Sequence, residues 1–437
     1  MYVLRGKWIL LGLIIVVGIV IAVKDRTHQP VAGIPASLER IIRMRIDMIL
    51  TARAEALITG DVETIKDHYD LDSLYGRWAF EHEMRRCKYL QAWSAARGIR
   101  LLDSEVEFRI SSIKLGGTYA RIQMDEGVKI CYKHESAPTS ESESESESES
   151  ESQREAEEDF FGIGTEHWLE LVLKDGEWLV RRDWYLDPLD SDASSISLAA
   201  ALSSSFEIYA SSSDTSLLDD FVSPELTAVP AAEYSSQCPC ENLCAVTAEA
   251  GTGEPTSLYN RENAVAYADK YCGLAWGCGN DRKYNPAYKN YTGLGGDCTN
   301  FASQVLGDPE AGNLSMTHTW RYNPYGHAAG ASAAWAQASS LLSFLLASGR
   351  AQRIARGTYS DLIAVSEAYP QGAIAALDRG DLIAYEQNGK IAHFAVVVGA
   401  DSGSYLLVNS HTADRYHVPW DLGWDSRTIF WLLRIVM

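Results

Sequence analysis

The segment Gly295-Gly296-Asp297-Cys298-Thr299-Asn300-Phe301-Ala302-Ser303-Gln304-Val305-Leu306 joins an irregular loop to a helix. Two glycines end the loop, an Asp/Thr/Asn cluster suits a helix start, and Phe301, Val305 and Leu306 fall on one face for burial. The spacing puts Cys298 in the first helical turn. Unpaired backbone N–H groups and the positive end of the helix dipole favour a thiolate there, lowering the thiol from its usual pKa near ~8.5 and giving the nucleophilic form. A cysteine that serves only in a disulfide has no need of that position.

A nucleophilic thiol needs a proton acceptor. Downstream, Gly380-Asp381-Leu382-Ile383-Ala384-Tyr385 reads as a strand, Asn388-Gly389 as a turn, and His393-Phe394-Ala395-Val396-Val397-Val398-Gly399 as the next strand, with His393 at its mouth. A rigid strand end suits a general base. Ser404 to Ser410 returns antiparallel, and period-two alternation puts Asn409 and His411 on one face, near His393. Either could orient the imidazole as a third triad member. Asp414 is a weaker candidate, and His417 reads as a loop residue before Pro419. Asn300 and Gln304 lie in the right segment to support an oxyanion, or equally to brace the helix. A helix expected from Tyr259-Asn260-Arg261 to about Tyr271 opens this second domain, 256–437.

Upstream, 37–190 reads as an N-terminal α+β domain. Leu38, Ile41, Ile42, Ile46, Ile49, Leu50 and Leu57 recur at helical spacing, and Glu81 to Gly98 reads as a second helix ended by glycine. Val106 to Leu115 and Tyr119 to Lys133 alternate as strands, and His167 to Leu173 with Glu177 to Trp184 flank the hairpin signal Lys174-Asp175-Gly176. Helices followed by an antiparallel sheet is an α+β pattern. The Ser/Glu alternation at 140–152 reads as a solvated loop insertion, and 191–255, rich in serine, as a linker.

The chain has 437 residues with 38 Lys+Arg against 59 Asp+Glu, a net charge of -21. That sign argues against nucleic acid as a partner. Trp8 to Val23 is an uncharged apolar run preceded by Arg5 and Lys7. At 1.5 Å per residue it spans about 24 Å, and no small-x-small site follows closely, so 8–23 reads as an uncleaved membrane anchor with a cleavable export signal as the alternative. The positive-inside rule then puts everything after Lys24 outside the cytoplasm. Eight cysteines (87, 131, 238, 240, 244, 272, 278, 298) in an exported chain read first as disulfide candidates. Cys238, Cys240 and Cys244 have no histidine nearby, so the expectation is no metal and no cofactor. Nothing in the sequence sets an oligomeric state.

Taken in order, Tyr259-Asn260-Arg261, the GGDCTNF block with Ser303-Gln304, Trp335, Gly380-Asp381-Leu382-Ile383, His393 and His411-Thr412-x-Asp414-Arg415 resemble the putative amidase domain family, a branch related to papain-like and NlpC/P60 cysteine peptidases. The likeness covers roughly 258 to 437. It implies a papain-like α+β core, a helix bearing the cysteine packed on an antiparallel sheet bearing the histidine, and amide hydrolysis through an acyl-enzyme. Carried over, Cys298 is nucleophile and His393 base. For the third position NlpC/P60 relatives carry histidine and papain-like ones asparagine, and the HTxDR context favours His411 over Asn409. The N-terminal region resembles, through Tyr89-Leu90-Gln91-Ala92-Trp93 and Phe161-Gly162-Ile163-Gly164-Thr165 to Asp183-Trp184-Tyr185, the separate cone-like helix-plus-sheet module found ahead of such domains in exported bacterial proteins. That module suits binding or positioning. Arg85, Arg86 and Lys88 read as a solvated helix face, with contact to an anionic wall polymer as the alternative.

The expected activity is that of a membrane-anchored extracellular cysteine amidase or peptidase acting on peptide, with peptidoglycan stem peptides as the expected substrate class. A non-catalytic envelope-binding protein and an amine-directed acyl transferase using the same residues are the alternatives.

Overall fold

The computed structural model describes residues 35–135, 158–189, 259–294, 296–325 and 330–436. The expected anchor at 8–23, the Ser/Glu tract at 140–152, the linker at 191–255 and Cys238, Cys240 and Cys244 lie outside the described residues. No helix among the described residues is long and apolar enough to cross a membrane.

Helix α1 (Ala36–Thr59) buries Ile42, Ile46, Ile49, Leu50 and Leu57, and stops where Gly60 enters the left-handed region at φ 75°, its N–H donating to the Ala56 carbonyl. Helix α2 (Leu74–Ala96) starts well before the position the periodicity predicts. Ser73 caps it by accepting from the Gly76 N–H, but its first turn exposes Leu74 and Trp78, so no inward stripe marks that turn. Both helices lie on an antiparallel sheet of β1 (Ile99–Gly116), β2 (Tyr119–His134), β3 (Asp159–Lys174) and β4 (Glu177–Trp184). The β3–β4 turn has Asp175 and Gly176 both at positive φ, as a two-residue hairpin of this twist demands. Arg86 is not on a solvated face. It is buried, with ion pairs to Glu83 and Asp187, because its place on α2 points at the sheet.

The second half begins with α3 (Arg261–Lys270), whose N-cap Asn260 accepts from the Asn263 N–H, and α4 (Cys298–Gly307). A two-residue ladder of β5 (Tyr322–Asn323) and β6 (Gly330–Ala331) and helix α5 (Ala338–Ala347) follow. Strands β7 (Ala351–Gly357), β8 (Leu382–Gln387), β9 (Lys390–Ala400), β10 (Leu406–Ser410), β11 (Asp414–Pro419) and β12 (Ile429–Ile435) complete the chain. His417 lies within β11 and not on a loop, with its ring paired to Asp269.

The strands of both halves form one sheet, ordered β1-β2-β3-β11-β10-β9-β8-β12-β7, with β4 also on β3. The join is the pairing of Asp414, Arg415 and Tyr416 with Gly164, Ile163 and Gly162. A fully separate N-terminal module is therefore corrected: backbone hydrogen bonding runs from one half into the other. Glycine makes the join feasible. A Cβ on Gly162 would lie 1.9 Å from the Trp276 carbonyl oxygen, and one on Gly164 2.2 Å from the Leu274 carbonyl carbon, so the 274–276 loop can pass over β3 only where no side chain stands.

Strands β8 to β10 are covered on both faces, which is why β9 reads as a continuous apolar run. One face packs Phe394, Val396 and Val398 against Phe301, Val305, Leu306 and Trp335 on the helical side. The other packs Tyr385, Ala395, Val397 and Val408 against Trp420, Trp424 and Phe430. Each fully buried large side chain contributes about 1.5–3 kcal/mol.

Candidate active site

Helix α4 begins as the GGDCTNF block predicts, with Asp297 just ahead of Cys298. Its first intrahelical bond is Phe301 N–H to the Asp297 carbonyl at 2.9 Å, so the N–H groups of Cys298, Thr299 and Asn300 precede the ladder. Asp297 is held by its surroundings: Oδ1 accepts from the Tyr291 N–H at 2.7 Å and from Asn300 Nδ2 at 2.9 Å, and its own N–H donates to Thr412 Oγ1.

Cys298 is an unbridged thiol, 6% exposed; Cys272 and Cys278 form a disulfide nearby in sequence. Its sulfur lies 3.8 Å from Thr299 Oγ1, and the backbone N–H of Phe394 favours its thiolate form. Strand pairing explains why that N–H is available. Val397 N–H points to the β8 side, donating to Asp381, so the N–H of Phe394, an odd number of residues away, points to the β10 side. The β9–β10 pairing ends at Asn409–Val396, two residues short, and leaves that N–H outside the ladder, on the side of Cys298. The nucleophile candidate thus sits where β9 and β10 part.

The expected lowering of the Cys298 pKa is overturned. Burial pushes the thiol up, and the donors at Phe394 and Thr299 only partly offset it. A helix start inside the protein loses more thiolate solvation than its dipole returns.

His393 is buried 3% exposed, its ring edge-on to Tyr385 at 5.5 Å and near Trp424 at 5.4 Å. Burial, then the positive charges of Arg415 and His411, hold it well below the ordinary histidine range, so it is neutral at pH 7. Its Nε2 is buried with no hydrogen-bond partner among the described residues. No hydrogen bond joins it to Cys298. The alternation of β9 sends the imidazole to the Tyr385–Trp424 face, while the peptide N–H that follows it favours the Cys298 thiolate.

Neither expected third member hydrogen-bonds to His393. Asn409 donates to Asp269 Oδ1 at 2.8 Å and accepts the His417 N–H at 2.7 Å. His411 has Nδ1 2.6 Å from Asp297 Oδ2 and Nε2 2.6 Å from the Tyr271 carbonyl, with its ring stacked on Phe301 at 4.0 Å. Both partners only accept, so both ring nitrogens donate and His411 is an imidazolium. Burial would lower it, but the Asp297 hydrogen bond and charge overcome that and raise its pKa. Its role is to anchor the start of α4 to the end of β10. Asn300 braces the helix as well, donating to the Lys289 carbonyl at 3.0 Å and accepting from Trp335 Nε1 at 2.8 Å. Gln304 accepts the Tyr267 hydroxyl at 2.9 Å. The Asn300 amide donor is thereby committed away from an oxyanion, while Gln304 is held through its carbonyl oxygen. Asp414, buried and raised to about 6, accepts the Leu274 N–H at 2.7 Å and the Tyr284 hydroxyl at 2.6 Å.

Two contributors went unread in the sequence. Arg415 is 4% exposed, packs over the Trp424 ring at 5.4 Å and donates from Nη2 to the Pro188 carbonyl at 2.7 Å. Its sequence signal was a basic residue one place after Asp414 in a strand, which alternation turns to the opposite face. Tyr89, on α2, accepts the N–H groups of Gly423 and Trp424 at 2.7 and 3.1 Å and so fixes the loop that carries Trp424 beside His393. The N-terminal half therefore builds one wall of the site. Among the described residues, a metal-like cluster of His134, Asp159 and Asp401 stands apart from it. Its groups already serve as a clamp, with His134 Nε2 2.8 Å from Asp401 and Asp159 accepting from Ser402.

Residues 258–433 match the family model described as "Putative amidase domain". Over 178 residues the chain is 31% identical to the "Uncharacterized protein YhbB" of Bacillus subtilis (strain 168), an alignment covering 40% of this chain and 44% of that protein. The chain thus spans less than half the length of that relative. Solved structures similar to the N-terminal region include a dehydratase-like member of the NTF2-like family from Streptomyces avermitilis, at 10% identity and TM-score 0.21, covering 34% of this chain and 96% of that one. An NTF-2 like protein of unknown function from Shewanella oneidensis MR-1 is 14% identical with TM-score 0.17, covering 33% and 98%. The C-terminal match makes amide hydrolysis the activity class to which this part of the chain is similar.

Proposed function

We propose that the chain is a cysteine amidase or peptidase in which Cys298 is the nucleophile and His393 the general base. The observation that carries this is that the Phe394 N–H, at the parting of β9 and β10 and one residue from His393, acts on the Cys298 thiol in favour of its thiolate. With the thiol raised and the imidazole lowered, both are neutral at pH 7, so attack and proton transfer occur together instead of from a preformed ion pair. His393 turns about its side-chain bonds toward the sulfur, a rotation that breaks no hydrogen bond, and takes the thiol proton. The sulfur adds to the amide carbonyl, and N–H groups at the start of α4 face the developing oxyanion. Return of the proton expels the amine and leaves a thioester. Water, deprotonated by His393, then releases the acid and regenerates the thiol. The export and anchoring expected from the apolar run at 8–23, together with the papain-like and NlpC/P60 resemblance, support peptidoglycan stem peptides as the proposed substrate class.

One observation favours a second reading, an envelope protein that binds such peptides without cutting them: Cys298 is raised and has no hydrogen bond to His393. Incubating the full chain with purified wall peptides separates the two. The hydrolase reading expects new amine termini with wild type and a loss of at least ~10²-fold in Cys298→Ala and His393→Ala. Equal product from wild type and Cys298→Ala removes it.

A further inference from the structure

Four buried polar atoms without a hydrogen-bond partner among the described residues lie on one face of the sheet: His393 Nε2, Ser410 Oγ, Arg415 Nε and Trp424 Nε1. Their closeness follows from the geometry. Ser410 pairs with Arg415 across β10 and β11. The Arg415 guanidinium lies over the Trp424 ring, whose centroid is 5.4 Å from that of His393. All four residues are at least nine-tenths buried, at 3%, 0%, 4% and 6% exposure. Buried polar atoms in folded proteins are nearly always paired, so four orphans in one place need an explanation.

The donor set specifies the chemistry. Arg415 Nε and Trp424 Nε1 can only donate, and the Ser410 hydroxyl donates readily. A neutral acceptor would satisfy these hydrogens but leave the guanidinium with only the charge of Asp187, which makes no ion pair with it, as an offset. Arg415 makes no ion pair with any described carboxylate, and its one protein hydrogen bond goes to the neutral Pro188 carbonyl. A buried arginine without a directly paired carboxylate is costly, and the planar fork of its guanidinium matches a carboxylate better than any other side chain does.

We propose that Arg415, Trp424 and Ser410 form a carboxylate-binding subsite beside His393, so that the substrate carries a free carboxylate close to the amide presented to Cys298. This rests on the Proposed function reading for the position of the amide, but not for the binding of the anion. The carboxylate belongs either to the amine that leaves, as in release of a C-terminal residue, or to the acyl part. Both sources present the same group to the same donors. The wall through Pro188 and Tyr89 gives the N-terminal half a share in choosing the substrate.

The test uses the full chain carrying Cys298→Ala, in which no turnover interferes, and calorimetric titration. N-acetyl-L-alanine against its carboxamide probes a carboxylate on the amine side, and N-methylsuccinamate against its carboxamide one on the acyl side. The subsite predicts that one acid binds about tenfold or more tighter than its amide, the scale of a charge-assisted hydrogen-bond set, and which acid wins identifies the source. Arg415→Gln reduces that ratio to below about twofold. Should Arg415→Gln fail to fold, Trp424→Phe, which keeps a ring and removes the indole N–H, reduces the ratio in the same direction. Absent binding, or equal binding of acid and amide in a protein with the parent melting transition, overturns the subsite. Preference for the acid in a chain that hydrolyses nothing leaves the subsite standing and removes the amidase reading; hydrolysis indifferent to the carboxylate does the reverse.

Discussion

Asp297 is the residue through which the helix of Cys298 is tied to the sheet, and its replacement separates two chemical accounts of that tie. The Asp297–His411 pair is 2.6 Å long with both side chains 2% exposed or less, and the imidazolium spends its second proton on the Tyr271 carbonyl. Asp297→Ala strips a buried cation of its counter-charge and leaves the Tyr291 and Asn300 donors unpaired. Breaking a buried pair from one side costs about 3–5 kcal/mol. Asp297→Asn behaves differently. Its carbonyl can keep the two Oδ1 bonds, while its amide donates to a neutral His411 that still donates from Nε2 to Tyr271, so every group stays paired and the expected loss is about 1 kcal/mol. The pH dependence differs too. His411 is raised on folding, so the stability it adds is full below its unfolded pKa near ~6.5 and is lost as pH rises through the higher folded value. That slope disappears in Asp297→Asn. Thermal unfolding followed by tryptophan fluorescence at pH 6 and pH 9 reads both effects, with Asp297→Ala lowering Tm by about 10 °C at pH 6. Equal losses in the two variants, or an unchanged pH slope in Asp297→Asn, refute the imidazolium assignment.

The remaining expectations concern the join between the halves and the buried network behind it. Gly162→Ala places a Cβ against the Trp276 carbonyl and costs about 3 kcal/mol or more, read as a lowered denaturant midpoint and earlier proteolytic cleavage in 274–276. Tyr89→Phe leaves the Gly423 and Trp424 N–H groups without their acceptor and costs about 1–3 kcal/mol, with KM for any substrate rising more than kcat falls because Trp424 loses its fixed position. His167 is buried between Asp183 and Glu126; burial opposes its charge, but the Asp183 charge and hydrogen bonds raise it to about 9. Its stabilising share, about 3 kcal/mol, is complete below pH ~6.5 and lost as pH rises through about 9, and His167→Gln removes that slope from a stability-versus-pH curve.

The helix that starts at Cys298 was legible because its cues are local: glycines, an Asx/Thr cluster and an apolar face within one turn or two. The β8–β9 hairpin was legible for the same reason, with Asn388 and Gly389 both at positive φ. What the sequence hid is tertiary. Alternation correctly put Asn409 and His411 on one face, but it could not show that this face belongs to α3 and α4, where Asp269 and Asp297 claim both side chains. The thiol shift was misread because the dipole of α4 is a property of its residues, whereas burial of Cys298 depends on the strands that close over it. The continuous sheet was hidden in Gly162 and Gly164, whose meaning is the loop passing over them. Arg415 was visible only as part of a motif until Pro188 and Trp424, far off in sequence, defined its surroundings.

The claim that the Cys298 sulfur attacks an amide is most directly tested by intact-mass analysis of the full chain acid-quenched during turnover of wall stem peptides. The account predicts a species heavier by one acyl group, localised by peptide mapping to Cys298 and absent from Cys298→Ala. Product release without any adduct in wild type, or the same products from Cys298→Ala, would contradict it.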